Sequence, residues 1–184
     1  TFVEELRSFY RSQGRLDAVV QGPAIEVDLE RAVAKVTIAV EEGNVHSIGA
    51  VDVAAALREA LGDDLPPPPV GRPQAQGELQ GYRTALRNAL RQRGYPAPAL
   101  TLRLEPAADA PLVARLEVGG EPGRRMTIAN VTVAGNDRTM AGVIRGKLDL
   151  AEGDRYDGVR IDDALTRLYR TGLFRKVDIR ETPV

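Results

Sequence analysis

Hydrophobic positions change period several times along this chain, and the changes mark its elements. Phe2, Leu6, Phe9 and Tyr10 stand at helical spacing within residues 1–12, and Gly14 sits where a left-handed C-cap belongs. Residues 16–28 are rich in Val and Ile but broken by Gly22 and Pro23. Ala34, Val36, Ile38 and Val40 then alternate with Lys35, Thr37 and Glu41, as on a half-buried strand. Ile48, Val51 and Val53 predict a strand, residues 54–61 a short helix, and Tyr82, Ala85, Leu86, Ala89 and Leu90 a longer helix that Gly94 ends. Residues 97–105 and 112–118 read as a hairpin turning at 106–111. Ile128, Val131 and Val133 predict another strand, followed by a tight turn at Gly135-Asn136-Asp137. Met140, Val143, Ile144 and Leu148 mark the apolar side of a helix. Asp157 can cap a second helix with Ile161, Ala164, Leu165, Leu168 and Tyr169 as its buried stripe. Gly172 closes it, Leu173 and Phe174 fold back, and Val177 and Ile179 alternate in a following strand.

The pattern also repeats. Ala34, Val36, Ile38, Val40, Gly43, Ile48, Val51 and Val53 return as Ala114, Leu116, Val118, Gly120, Gly123, Ile128, Val131 and Val133, each 80 positions on (34 to 114, 53 to 133). Leu6 and Gly14 return as Leu86 and Gly94 at the same offset. A fixed period in a 184-residue chain signals a string of small modules. Each unit reads strand, helix, helix, strand, strand, which is an α+β module with two helices on one face of a three-stranded mixed sheet. The expected boundaries are 1–43 for the closing part of one module, 44–123 for a complete one, and 124–184 for one lacking its last strand. The middle unit departs from the pattern at Pro66-Pro67-Pro68-Pro69, a run that favours polyproline II and a stiff loop.

Composition removes several function classes. With 25 Lys+Arg against 26 Asp+Glu, the charge balance gives no support to global nucleic-acid binding. His46 is the only histidine and there is no cysteine, so neither a His-based metal cluster nor a hydrolytic triad can be assembled. Asp157, Asp162 and Asp163 lack the spacing of a calcium loop, and no Gly-rich phosphate loop occurs. No cofactor, metal or catalytic group is expected. The chain opens without Met or a secretory leader, so any leader is expected to have been removed or never included.

One stretch runs Ile128-x-x-Val131-x-Val133-x-Gly135-Asn136-Asp137-Arg138-Thr139, then Val143-Ile144, Leu148-x-Leu150-x-x-Gly153-Asp154-x-Tyr156-Asp157 and Ala164-Leu165-x-x-Leu168-Tyr169-x-x-Gly172-Leu173-Phe174. It resembles the POTRA domain, the polypeptide-transport-associated module of the BamA/TamA outer-membrane assembly superfamily. The first unit agrees through Phe9-Tyr10, Asp17-Ala18-Val19-Val20 and Val36-x-Ile38-x-Val40-Glu41-Glu42-Gly43, while the Pro-rich insertion replaces the Gly-Asp-x-Tyr connection in the middle one. The resemblance implies tandem POTRA modules on the periplasmic side of the outer membrane, preceding a membrane β-barrel. It further implies unfolded outer-membrane or exported client polypeptides, and accessory periplasmic or lipoprotein partners. A two-partner-secretion transporter and a cell-division or envelope scaffold are the alternative settings for such modules.

An edge strand leaves unpaired N–H and C=O groups that an incoming extended chain can complete. The candidate partner-binding edges are the first strands of each hairpin. They comprise Asp17, Ala18, Val19 and Val20; Ala99, Leu100, Thr101 and Leu102; and Val177, Asp178, Ile179 and Arg180. Arg83, Arg87 and Arg91 form an i, i+4, i+8 stripe that reads as a solvated helix face, or else as a site for anionic headgroups or an acidic partner.

Overall fold

A computed structural model describes residues 2–136, 139–172, 174 and 176–177. The chain divides into two compact units. One comprises Thr1–Val53, Pro67–Arg83 and Leu102–Val118, the other Ala54–Pro66, Thr84–Thr101 and Gly119–Val184.

In the first unit, helix α1 (Phe2–Ser12) carries Glu4 and Glu5 in its first turn and Arg11 in its last, the charges that suit its dipole. It stops at Gly14, whose φ of +79° an L side chain adopts only with strain. Four short strands follow: β1 (Val19–Val20), β2 (Ala24–Asp28), β3 (Val33–Thr37) and β4 (Val40–Glu41). They form an interrupted antiparallel hairpin in which Val20 faces Val40, Ile25 faces Val36 and Val27 faces Ala34. The interruption coincides with Gly22-Pro23, where proline has no N–H for the ladder.

The expected half-burial of this hairpin holds only at its base. Ala18 and Val20 are buried, but Ala34 is exposed, as are Ile25 (61 %), Val27 (61 %) and Val36 (58 %). Alternation says which residues share a face and is silent on what covers it. The equivalents 80 positions on make the contrast, since Ala114, Leu116 and Val118 are all buried. They lie on β7 (Ala110–Glu121), and β5 (Ser47–Val53) pairs with it in parallel: Ile48 with Ala114, Val51 with Leu116, Val53 with Val118. The register shifts between Ile48 and Ala50, and glycine fits the position between them, where a Cβ would run into Val113 Cγ1. That bulge is why Ile48 and Val51, three apart, keep one face. With β6 (Ala99–Ala107) the sheet order is β5-β7-β6. The turn joining β6 and β7 is Ala108-Asp109, shorter than the expected 106–111; Pro106 sits in an outer strand and Pro111 near a strand start, both places that tolerate a missing N–H.

The second unit holds α2 (Ala55–Leu61), with Leu57 and Leu61 buried, and a 3-10 turn at Gly62–Asp64. It also holds the latter part of α3 (Gln76–Gln92), where Leu86 and Leu90 are inaccessible. Helices α4 (Ala141–Leu148) and α5 (Gly158–Arg170) pack through Ile144, Leu148, Ala164 and Leu168. Asp157 caps α5 as expected, its Oδ1 accepting from the amides of Val159 and Arg160 at 3.0 Å each. Met140 (76 % exposed), Val143 and Tyr169 do not join the core as anticipated: Met140 is the N-cap of α4, and the Tyr169 hydroxyl donates to the carbonyl of Val177.

Among the described residues, the stretch through Ile128, Val131 and Val133, expected as a strand, forms no ladder. Thr127 bridges Arg155, while Val131 and Val133 rest on the α4–α5 cluster beside Leu150, Phe174 and Val177. Apolar alternation delivers the packing, but a strand also needs a partner strand, and none among the described residues lies alongside. Gly135 makes the anticipated turn with φ +75°, and Asn136 Nδ2 donates to the carbonyl of Thr139. Asp137, Arg138, Leu173 and residues 178–184 fall outside the described residues.

Candidate functional site

The three candidate edges meet different fates. β6 is an outer strand of its sheet over nine residues. Along it Leu100 is buried and Leu102 and Leu104 half-buried, whereas Ala99, Thr101, Arg103 and Glu105 are exposed. Gly119 and Gly120 of β7 press closely on its beginning: a Cβ at Gly119 would fall 2.8 Å from Thr101 Oγ1, and one at Gly120 would collide with the backbone of Ala99. The first edge is much shorter. Only Val19 and Val20 form a strand, Ala18 is buried ahead of it, and Asp17 turns away to His46 Nε2 at 2.8 Å. At the third edge, Val177 gives its N–H to the hydroxyl of Tyr169, and Asp178, Ile179 and Arg180 lie outside the described residues.

A feature that side-chain patterns do not reveal sits where one repeat hands over to the next. The amide of His46 donates to the carbonyl of Gly14 at 2.9 Å, and the amide of Met126 to that of Gly94 at 2.8 Å. In turn the His46 carbonyl accepts from Gln74, and the Met126 carbonyl from Tyr156. Ile48 is bracketed by Gly71 and Arg72 as Ile128 is by Gly153 and Asp154. The isolated bridges Ser47–Pro73 and Thr127–Arg155 complete the match. Gly71-Arg72-Pro73-Gln74 therefore takes the backbone role of Gly153-Asp154-Arg155-Tyr156, at an offset of 82 (71 to 153), and both glycines have positive φ. The proline run ahead of Gly71 leaves this connection intact, since main-chain bonds do not depend on the side chains that frame them.

The arginine stripe divides. Arg83 and Arg87 are exposed, while Arg91 is half-buried and engages Asp162 at 2.7 Å. Its hydrogen bond to Asp162 raises the guanidinium pKa further above the usual arginine range, against the opposing effect of burial. Arg93 pairs with Asp64 at 2.6 Å, and Arg125 Nε donates to the Arg93 carbonyl. Among the described residues, no group of His, Asp and Glu is arranged to hold a metal ion, and no helix is long and apolar enough to cross a membrane.

Comparison with known proteins gives these features a context. The POTRA family model, described as a surface antigen variable number repeat, matches residues 126–184. The outer membrane protein assembly factor BamA of Neisseria meningitidis is 23 % identical over 185 residues, spanning 99 % of this chain and 23 % of that protein. BamA of Neorickettsia risticii is 27 % identical over 179 residues, 96 % of this chain and 24 % of the relative. The chain thus spans about a quarter of the length of the curated relatives it matches. Among solved structures, POTRA domains 3–5 of Haemophilus influenzae BamA superpose with a TM-score of 0.63 at 20 % identity, covering 99 % of this chain and 72 % of that one. Haemophilus ducreyi BamA lacking POTRA domains 1–3 gives 0.61 at 21 % identity, over 73 % of this chain and 25 % of that one. The likeness in fold, the family match over residues 126–184 and the BamA relatives point the same way: this chain is similar to the POTRA regions of outer-membrane protein assembly factors.

Proposed function

We propose that this chain is the periplasmic, non-catalytic part of an outer-membrane β-barrel assembly protein, and that it receives extended client polypeptides by strand addition. The observation that carries the reading is the outer position of β6 in the order β5-β7-β6, with Ala99, Leu100, Thr101 and Leu102 on it. Main-chain pairing gives affinity without demanding one sequence, which suits a receiver of many clients. The Val19–Val20 edge, only two residues long, is the weaker site. In this reading a membrane β-barrel and accessory periplasmic or lipoprotein partners complete the assembly. Residues 1–43 form the closing part of one POTRA module, 44–123 a complete one and 124–184 one lacking its last strand.

The test is a titration of the isotopically labelled chain with a ten-residue peptide of alternating apolar and polar residues, the pattern of a membrane β-strand. Amide shifts concentrated at residues 99–104 are expected. Absence of shifts in every hairpin edge would overturn strand addition.

A further inference from the structure

The backbone bonds at the two hand-over points match, but the side chains around them do not. At the second, Arg91 lies in the last turn of α3 and donates from Nη1 to Asp162 Oδ2 at 2.7 Å and from Nη2 to the carbonyl of Gly158 at 3.2 Å. Nη2 also lies 3.4 Å from Asp162 Oδ1, so the planar fork meets both carboxylate oxygens. Arg91 is 19 % exposed in its side chain. Gly158 provides the floor: a Cβ there would collide with Arg91 Nε and lie 2.6 Å from Cζ. One guanidinium thus holds the carbonyl of the first residue of α5 and a carboxylate one turn further along, across 71 positions of sequence.

The first hand-over lacks these parts. Eighty positions before Arg91 stands Arg11, but the positions matching Gly158 and Asp162 at the loop offset of 82 are Gln76 and Gln80. Neither offers a carboxylate to an arginine. There Arg15 pairs with Glu42 at 3.2 Å and His46 Nε2 lies 2.8 Å from Asp17 Oδ2, contacts that tie the linker to residues just before β1.

A side-chain contact set apart from those backbone bonds restricts the motion that they alone would leave. Arg91 is such a contact, placed one helical turn before Gly94 on a long side chain. We propose that Arg91 clamps the second joint, and that the first joint, built on the same backbone bonds with the single Asp17–His46 contact in place of a guanidinium fork, is the more pliable. This goes beyond the assembly role and stands whether or not β6 binds clients.

The chain has no cysteine, so introduced ones are unique labelling sites. Spin labels at Thr84→Cys and Arg170→Cys span the second joint, and labels at Glu5→Cys and Gln80→Cys span the first; all four positions are exposed. Double electron–electron resonance is expected to give a distance distribution narrower across the second joint than across the first. Arg91→Ala is expected to widen the second about twofold, the first keeping its width. Asp162→Asn, a change at an exposed carboxylate, is expected to widen the same distribution and serves as the test if Arg91→Ala fails to fold by circular dichroism. A second-joint width unchanged in a folded variant, or equal widths at both joints in the unaltered chain, would overturn the clamp.

Discussion

Gly14 and Pro73 approach so closely that a Cβ on the glycine would lie 2.7 Å from the Cβ of the proline. The same glycine has φ +79° and accepts the amide of His46 on its carbonyl. Gly71 has the same φ of +79°, yet a Cβ there would meet nothing within 4 Å. Gly71→Ala therefore incurs only the left-handed penalty, about 1 kcal/mol. Gly14→Ala adds overpacking against a rigid ring and is expected to cost about 3 kcal/mol. Urea unfolding of the two variants checks the order; equal losses would mean that Pro73 yields.

Gly49 sits at the bulge of β5, where a Cβ would strike Val113 Cγ1. Gly49→Ala is expected to destabilise by about 2 kcal/mol. Because the obstacle is one methyl group, Val113→Ala should recover part of that loss, and a double-mutant cycle reads the coupling directly. Additive losses would place the strain in the backbone instead.

Leu168 is 2 % exposed and packs with Ile144, Leu148 and Ala164. Truncation to alanine leaves a cavity that the α4–α5 pair cannot fully close, at a cost of about 3 kcal/mol. The unfolding midpoint in urea should fall with an unchanged slope. Tyr169→Ala, at a neighbouring but 44 % exposed position, should cost clearly less.

Asp157 accepts from two amides of the first turn of α5. Asp157→Ala is expected to lower stability by about 1 kcal/mol, and Asp157→Ser to retain most of the cap. Hydrogen exchange at Val159 and Arg160 reports the loss locally: both amides should exchange faster in the alanine variant and nearly as in the parent for serine.

The elements legible in the sequence were those whose signal is local. Gly14 and Gly94 after apolar helical stripes marked helix ends, and Asp157 before Ile161 marked a start, because caps and positive φ are decided within a few residues. The register-true recurrence of Ile48 at Ile128 revealed repetition, and both residues do sit between the same pair of loop bonds. Less legible was the strand through Val131 and Val133, whose apolar alternation matched that of Val51 and Val53. Periodicity selects the face that packs, whereas a ladder requires a second strand at hydrogen-bonding distance. The edge of β6 was legible because a hairpin strand with a central partner has one side left over. The Arg91–Asp162 contact was not, since a helix-face arginine reads the same in sequence whether solvated or paired.

By itself the sequence determined the helices, the caps at Gly14, Gly94 and Asp157 and the 80-residue period, all consequences of short-range spacing and backbone conformation. Tertiary structure alone decided burial and joining. Val36 and Leu116 occupy equivalent places in two alternating strands, yet one is 58 % exposed and the other fully buried. The difference is the strand that lies beside Leu116, and no pattern within a strand encodes its neighbour. Likewise Gly71-Arg72-Pro73-Gln74 and Gly153-Asp154-Arg155-Tyr156 share a role through their main chains while sharing little in their side chains. Backbone hydrogen bonds are common to every residue, so where they form is a property of the folded chain.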